Sequence, residues 1–236
     1  MSEPPAAARE LFGATLPRAE AYAGMLVGPG VERGLVGPGE ASRIWDRHLI
    51  NSGLIIELLP ERFGAPEPGW LVDLGSGAGL PGIVLAILRP DLRVTLIEPM
   101  ARRTAFLAEC VSQLDLKNVE ICRARAEELA GRVLADVVTS RAVARLDRLA
   151  RWSIGVCRPG GLVLAIKGAS AAAELMAARP VLDRLGIADA RVVMVGQELA
   201  ARGVVDQPTT VVRLDVGPTQ KSRAGREHHE HQRTGT

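Results

Sequence analysis

The chain has 236 residues, of which 47% are hydrophobic and 24% are charged, and its formal net charge is +2. This length suits one α/β domain with an extension, and the composition excludes a fibre or a wholly disordered chain. No run of about 18 uncharged apolar residues is present, and acids and prolines occupy the start of the chain where a secretory signal needs an apolar core. We therefore expect a cytoplasmic protein without a membrane span.

Neither the cysteine spacing nor the charge of the chain indicates a particular functional class. Cys110, Cys122 and Cys157 form no C-x-x-C pair, so neither a zinc site nor a disulfide framework is expected. Three histidines lie in the polar segment 217–236, which has no strand or helix to fix ligand geometry, and we predict no metal site there. Most basic residues are arginine, which suits phosphate and base edges, although a GC-rich genome would give the same bias.

Residues 1–69 are predicted to form an N-terminal helical extension. Apolar residues repeat at helical spacing between 19 and 26, and the sequence VGPG occurs at 27–30 and again at 36–39, where proline and glycine predict helix ends. The following stretch EASRIWDRHLINSGLIIELL predicts one or two helices, and PERFGAPEPG marks a boundary before residue 70. The two predicted apolar faces are Ala19, Tyr22, Ala23 and Leu26, then Trp45, His48, Leu49 and Ser52.

Residues 70–216 alternate short apolar runs with helical stretches such as 101–115, which predicts a Rossmann-like α/β domain with a mostly parallel sheet covered on both faces. Loop-like sequence separates the last two runs, so these strands could pair in antiparallel fashion. The segment 217–236 is predicted to be disordered, as a solvated tail or as a basic arm on RNA. The seven predicted strands are WLVDL (70–74), RVTLIE (93–98), VEICR (119–123), ADVVTS (135–140), GLVLAIK (161–167), ARVVMV (190–195) and TTVVRLDV (209–216).

The first strand runs into a glycine-rich turn, WLVDLGSGAGLPG. A nucleoside-triphosphate loop needs Lys-Ser/Thr after its last glycine, and this chain has Leu80-Pro81 instead. A dinucleotide loop needs G-x-G-x-x-G, and Leu80 occupies the third glycine position. The spacing is G-x-G-x-G, and its glycines are Gly75, Gly77 and Gly79.

Two carboxylates flank this turn and restrict its ligand. Asp73 would repel a pyrophosphate seated at a helix N-terminus, but it would favour a ligand with ammonium or sulfonium groups, such as S-adenosylmethionine. Glu98 ends the second strand, where a carboxylate can accept hydrogen bonds from both ribose hydroxyls. Glu98 fits a nicotinamide dinucleotide or S-adenosylmethionine, so an NAD-dependent oxidoreductase remains an alternative.

Other candidate residues follow strand ends, because ligands of open α/β sheets bind beyond the carboxyl ends of the strands. Ala126 and Glu127 follow the third strand, where the adenine would lie. Arg141 and Lys167 end the fourth and fifth strands; each could be a surface cation or a salt-bridge partner, but two cations at one cleft favour a polyanionic or carbonyl-bearing substrate. His48 could cap the cofactor pocket, contact RNA or pack locally.

Several motifs together resemble a known family. WDRHLINS, VDLGSGAGLPGIVLA, RAEEL, SRAVARL and LAIKG, in this order and spacing over residues 10–215, are similar to the RsmG (GidB) family of bacterial 16S ribosomal RNA methyltransferases, in particular to its actinobacterial members. The resemblance implies the class I methyltransferase fold and methyl transfer from S-adenosylmethionine to N7 of one guanosine in the decoding-region loop of 16S RNA. It implies cofactor contacts at Gly75, Leu80, Ala126, Glu127 and Arg141.

Methylation at N7 leads to a hypothesis for the mechanism, and the resemblance implies an RNA partner. Guanine N7 has an unprotonated lone pair, so no general base is needed, and Arg141 or Lys167 would orient the base through O6 while a second cation holds phosphate. The partner would be 16S RNA or a small-subunit particle, with no protein partner implied and a monomer expected. Asn51 stands where many members have Asp. Another methyl acceptor, or a noncatalytic RNA-binding scaffold with the same fold, remains an alternative.

Overall fold

The computed structural model describes residues 3–61 and 69–218. Within these ranges seven strands form one sheet in the order β3-β2-β1-β4-β5-β7-β6. Strand β7 runs antiparallel to β5 and β6, and the other strand pairs are parallel. The strands are β1 (Trp70–Leu74), β2 (Arg93–Ile97), β3 (Val119–Cys122), β4 (Ala135–Arg141), β5 (Cys157–Lys167), β6 (Ile187–Val195) and β7 (Thr209–Val216).

Helices cover both faces of this sheet, and each face has its own hydrophobic core. One core joins the helices Gly82–Leu88 and Ala101–Gln113 to the N-terminal helices, and the other joins the helices Leu146–Val156 and Ala171–Leu185 to the opposite face. The predicted fold class and the antiparallel pairing of the last two strands are confirmed; β7 inserts beside β5 and leaves β6 at the edge. The helices after β1 are α4 (Gly82–Leu88), α5 (Ala101–Gln113), α6 (Leu146–Val156), α7 (Ala171–Leu185) and α8 (Gln197–Ala201).

The N-terminal region begins with α1 (Ala6–Phe12) and α2 (Leu16–Met25). The apolar stripe predicted between residues 19 and 26 is buried against the first core. The expectation that the first VGPG ends a helix is wrong. The chain stays helical through Leu26–Gly30 in a widened π-type turn that contains Pro29, and such a turn absorbs a residue that lacks an N–H. The helix ends after Glu32, before the second VGPG, and Pro38 of that copy begins the next helical segment.

A helical path of changing pitch follows from Pro38 to Leu58. Its successive segments are Pro38–Arg43, Ile44–Ile50, α3 (Asn51–Gly53) and Leu54–Leu58. Trp45, Leu49 and Ser52 of the predicted face are buried, while the His48 side chain is 14% exposed. These segments share one hydrophobic core with α4, α5 and the sheet, so the N-terminal region packs as part of one body with the strand region.

Two expectations concern residues outside the described ranges. Most of the PERFGAPEPG boundary (62–68) and nearly all of the 217–236 tail, including its histidines, lie there. Among the described helices, none has the length and apolarity that a bilayer crossing requires. No group of three or more His, Cys, Asp or Glu side chains within the described ranges could hold a metal ion.

Gly82 brings α4 unusually close to the sheet. A Cβ at this position would lie 2.3 Å from Cδ2 of Leu96 and 2.8 Å from Cβ of Asp73. Atoms at these separations overlap, so α4 could hold its present position only if the sheet side chains moved. The glycine therefore sets how tightly the first helix after the glycine turn packs on β1 and β2.

We expect Gly82→Ala to lower the free energy of unfolding by about 1–3 kcal/mol, because the added methyl group overpacks this contact. Gly39→Ala is the matched control, since nothing lies within 4 Å of the Cβ position at Gly39. Urea denaturation of both variants measures the difference. Equal stability of the two variants would show that the side chains around Gly82 can accommodate the methyl group without loss of stability.

Candidate functional site

The glycine turn joins β1 to α4 and lies over the end of β2. Gly75, Gly77 and Gly79 have φ angles of 71°, 58° and 104°, in the region that glycine adopts without steric cost. The amides of Gly75 and Ser76 donate to the carbonyl oxygen of Ile97 at 2.9 and 3.1 Å. The turn is thus anchored to the neighbouring strand as well as to its own.

The carboxylate of Asp73 is fully buried beneath the turn. It accepts hydrogen bonds from the amide of Gly82 at 3.1 Å and from Oγ1 of Thr139 at 3.3 Å. Burial raises the pKa of this carboxyl to about 7, although the bond from Gly82 opposes the shift. In this structure Asp73 therefore fixes the position of the turn. Its negative charge lies beneath the turn and would attract a bound cation electrostatically.

Glu98 comes directly after β2, and its carboxylate faces the glycine turn. Its side chain is 2% exposed; Oε2 accepts from the amide of Gly77 at 3.0 Å, and Oε1 accepts from the amide of Met100 at 3.0 Å. Arg103 lies 3.4 Å away with Nη1 directed at Oε2. The acid and the glycine turn that the sequence links to one ligand are therefore in direct contact.

The remaining predicted cofactor residues border this area. Ala126 and Glu127 begin the helical turn Ala126–Leu129 after β3; Ala126 packs against the second core and Glu127 is exposed. Glu128 caps this turn by accepting from the amide of Arg125 at 3.1 Å. Leu80 is half-buried against the first core. The structure thus places all the predicted cofactor residues other than Arg141 along the carboxyl ends of β1, β2 and β3.

A cavity of about 710 Å³ opens at the carboxyl ends of β4 and β5. Its walls are the helical path from Arg43 to Leu54 and the segment 205–209 before β7, and both Arg141 and Lys167 line it. The glycine turn is not among its described lining residues. The two areas adjoin where the loop after β4 packs on the turn, since a Cβ on Gly75 would lie 2.8 Å from Cγ2 of Val143.

Arg141 is half-buried and forms no salt bridge with any residue in the described ranges. Its Nη2 donates to the carbonyl oxygen of Arg47 at 2.6 Å, and its Nη1 donates to the carbonyl oxygen of His48 at 3.3 Å and to Oγ of Ser52 at 3.1 Å. Burial lowers the pKa of this guanidinium from its ordinary value. The side chain ties the end of β4 to the N-terminal helical path and forms part of the cavity floor.

His48 connects this arginine to an acid. Nη2 of Arg141 lies 3.4 Å from Nδ1 of His48, and Nε2 lies 3.0 Å from Oε2 of Glu40. An arginine N–H can only donate, so Nδ1 accepts and Nε2 carries the proton that it donates to Glu40. Burial, and then the charge of Arg141, lower the pKa of His48. His48 therefore acts as a neutral link in this structure and is not among the lining residues of the cavity.

Lys167 forms a salt bridge, which is one of the two roles expected for it from the sequence. Its Nζ lies 2.8 Å from Oε2 of Glu174 and donates to the carbonyl oxygen of Ala144 at 2.7 Å. Glu174 also accepts from the amide of Leu146 at 3.2 Å and from Oγ of Ser170 at 2.9 Å. The bond to Lys167 lowers the pKa of Glu174. This network holds the loop after β4 against the start of α7.

Two contacts at the site do not follow from sequence spacing, and a third residue there has a buried hydroxyl. Tyr22, predicted only as an apolar helix residue, donates its hydroxyl proton to the carbonyl oxygen of Ala78 in the glycine turn at 2.8 Å. Asn51 donates to Oγ1 of Thr209 at 2.7 Å, which joins the two cavity walls. Ser140 has a buried hydroxyl without a described hydrogen-bond partner. Sequence spacing carries no signal for such contacts, because the partners are distant in the chain.

The arrangement matches known folds. An S-adenosylmethionine-dependent O-methyltransferase from Thermotoga maritima is similar with a TM-score of 0.55 at 14% identity, over 73% of this chain and 66% of that one. TYW2 of P. horikoshii, solved in complex with MeSAdo, is similar with a TM-score of 0.50 at 15% identity, over 66% of this chain and 60% of that one. Together with the strand order, these likenesses show the class I methyltransferase fold.

Sequence comparisons are more specific. A protein of Thermobifida fusca named ribosomal RNA small subunit methyltransferase G is 54% identical over 213 residues, which are 90% of this chain and 85% of that protein. A protein of the same name from Salinispora tropica is 50% identical over 93% of each chain. A family model described as GidB, rRNA small subunit methyltransferase G, matches residues 15–204. This chain therefore belongs to the GidB family of small-subunit ribosomal RNA methyltransferases.

Proposed function

We propose that this chain transfers a methyl group from S-adenosylmethionine to N7 of a single guanosine in the decoding-region loop of 16S ribosomal RNA. The observation that carries the proposal is the contact between Glu98 and the Gly77 amide, which places a buried carboxylate and a G-x-G-x-G turn at one sheet edge beside a large cavity. The chain would act in the cytoplasm, as a monomer, on 16S RNA or on a small-subunit particle.

The residues present fit the proposed methyl donor. The turn is built from glycines at positive φ that leave its backbone open to a ligand. Glu98 offers carboxylate oxygens for ribose hydroxyls, while Ala126 and Glu127 border the position of an adenine. The field of Asp73 favours a cationic ligand over a pyrophosphate. These features favour S-adenosylmethionine over NAD, for which Leu80 breaks the glycine pattern.

The cavity at β4 and β5 is the proposed site of the acceptor guanosine. Its volume of about 710 Å³ lies within the range of roughly 300–1,000 Å³ that is usual for small-molecule pockets. Arg43 and Arg47 on one wall are exposed and can contact phosphate oxygens. A guanosine would enter unstacked from its neighbours, because base edges inside an RNA helix are poorly reachable.

The chemistry requires alignment and no proton transfer. S-adenosylmethionine supplies an electrophilic methyl carbon on a positively charged sulfur. The N7 lone pair would form the new bond while the carbon–sulfur electron pair stayed on sulfur, so the positive charge would pass to the methylated base. The chain therefore needs only to hold N7 in line, and positioning of this kind can supply several kcal/mol. In this proposal Arg141 and Lys167 orient the base, and His48 holds Arg141.

Methyl transfer to isolated 16S RNA tests the proposal directly. RNA from a strain that lacks this gene should accept tritiated methyl from the pure protein, and mass spectrometry should find the label on N7 of the decoding-loop guanosine. Label at another nucleotide would reject the acceptor assignment. Cofactor binding without any labelled RNA or subunit would indicate a scaffold, and tight binding of NAD without S-adenosylmethionine would indicate an oxidoreductase.

We expect Glu98→Gln to weaken S-adenosylmethionine binding by about tenfold, or ~1.4 kcal/mol, because an amide accepts hydrogen bonds less strongly than a carboxylate. Isothermal titration calorimetry measures this change. Glu120→Gln is the matched control, since Glu120 is an exposed acid on the outer strand β3 and forms a salt bridge with Arg93 of β2. Equal affinities for the two variants would remove Glu98 from the cofactor site.

We expect Lys167→Met to reduce RNA methylation by at least about tenfold at saturating cofactor while S-adenosylmethionine affinity stays unchanged, because Lys167 lies on the acceptor side. Lys117→Met makes the same chemical change at an 86% exposed lysine paired with Asp115, and should retain full activity. Single-turnover methylation assays measure both variants. Unchanged methylation by Lys167→Met would show that Lys167 has only a structural role, in its salt bridge.

A further inference from the structure

Tyr22 makes a buried polar contact that the proposed reaction does not yet use. It is the one tyrosine in the sequence, it lies on α2, and it is 0% exposed. Its hydroxyl donates to the carbonyl oxygen of Ala78 at 2.8 Å, across 56 positions of sequence. A buried hydroxyl is costly unless it is hydrogen-bonded, so this pairing specifies where α2 meets the glycine turn.

Tyr22 also touches the turn sterically. A Cβ on Gly79 would lie 2.7 Å from the tyrosine hydroxyl oxygen and 2.5 Å from Cδ1 of Ile83. The opposite side of the turn is held by Glu98, which accepts from the Gly77 amide. The turn is therefore fixed between a carboxylate on the strand side and a phenol on the helix side.

Fixing this turn matters because glycine loses more backbone entropy than any other residue when it is ordered. A turn that ordered only when a ligand arrived would subtract that entropy from the binding free energy, whereas a turn already held in shape would not. Burial raises the pKa of Tyr22 well above its ordinary value, so the phenol remains a hydrogen-bond donor across the physiological range.

We propose that Tyr22 is a positioning residue for S-adenosylmethionine: its hydrogen bond to Ala78 holds the glycine turn in the shape that receives the cofactor. This inference rests on the proposed function for the identity of the ligand. It assigns to the N-terminal region a role at the donor site, in addition to the cavity wall that the same region provides on the acceptor side.

Tyr22→Phe tests this role because it removes one oxygen atom and keeps the ring. We expect the Kd for S-adenosylmethionine, and its KM in the methylation assay, to rise about fivefold to tenfold. The kcat at saturating cofactor and the KM for RNA should stay at the wild-type values, because an occupied turn has the same shape in both proteins. Calorimetry and steady-state kinetics give these four quantities.

Thr95→Val is the matched control for loss of a buried hydroxyl. Thr95 is 6% exposed on β2 and its Oγ1 accepts from Nε1 of Trp70 at 2.9 Å, away from the turn. This variant should lose stability and keep its affinity for S-adenosylmethionine. If Tyr22→Phe likewise melts at a lower temperature but binds the cofactor as the wild type does, the tyrosine has only a structural role and the proposal is overturned.

Hydrogen exchange provides a readout that is independent of catalysis. In the cofactor-free protein, amides of residues 75–80 should exchange faster in Tyr22→Phe than in the wild type or in Thr95→Val, because the turn has lost one anchor. Unchanged exchange there would also overturn the proposal. Failure of the wild type to bind S-adenosylmethionine would instead reject the proposed function, and binding without RNA methylation would reject only its acceptor.

Discussion

The buried carboxylate of Asp73 determines where the sheet, the glycine turn and α4 meet. It lies at the position where β1 pairs with Thr139 of β4, and it accepts from that hydroxyl and from the Gly82 amide at the start of α4. Burial raises its pKa to about 7, so keeping an ionised acid at this position costs free energy. In exchange, the single side chain of Asp73 fixes both ends of the glycine turn.

The strand region was largely predictable because its signals are local. Short apolar runs predict the seven strands. Ligands bind beyond the carboxyl ends of parallel strands, and this rule predicts that Glu98 lies close to the glycine turn. The N-terminal region was less predictable. Pro29 predicts a helix end by local chemistry, but burial of the neighbouring Leu26 and Gly30 in the shared core favours a widened helical turn that keeps the chain on its path.

The partners of the predicted cations could not be foreseen for a different reason. Arg141 donates to backbone carbonyl oxygens of Arg47 and His48, more than 90 positions earlier, and every residue type supplies such an acceptor. Tyr22 bonds to the Ala78 carbonyl in the same way. Sequence patterns predict which side chains lie at a sheet edge. Which backbone carbonyl oxygens accept their hydrogen bonds depends on how distant segments of the chain pack together.

Charge placement in the cavity agrees with the reaction that we propose. Methylation at N7 passes a positive charge to the base, so an unpaired cation against the ring would oppose the transition state. Lys167 is balanced by Glu174, and the charge of Arg141 is spread over carbonyl oxygens and a hydroxyl. Asp46 and Asp206 also line the cavity. Cations held in this way can orient a guanine through O6 without concentrating positive field on the nitrogen that reacts.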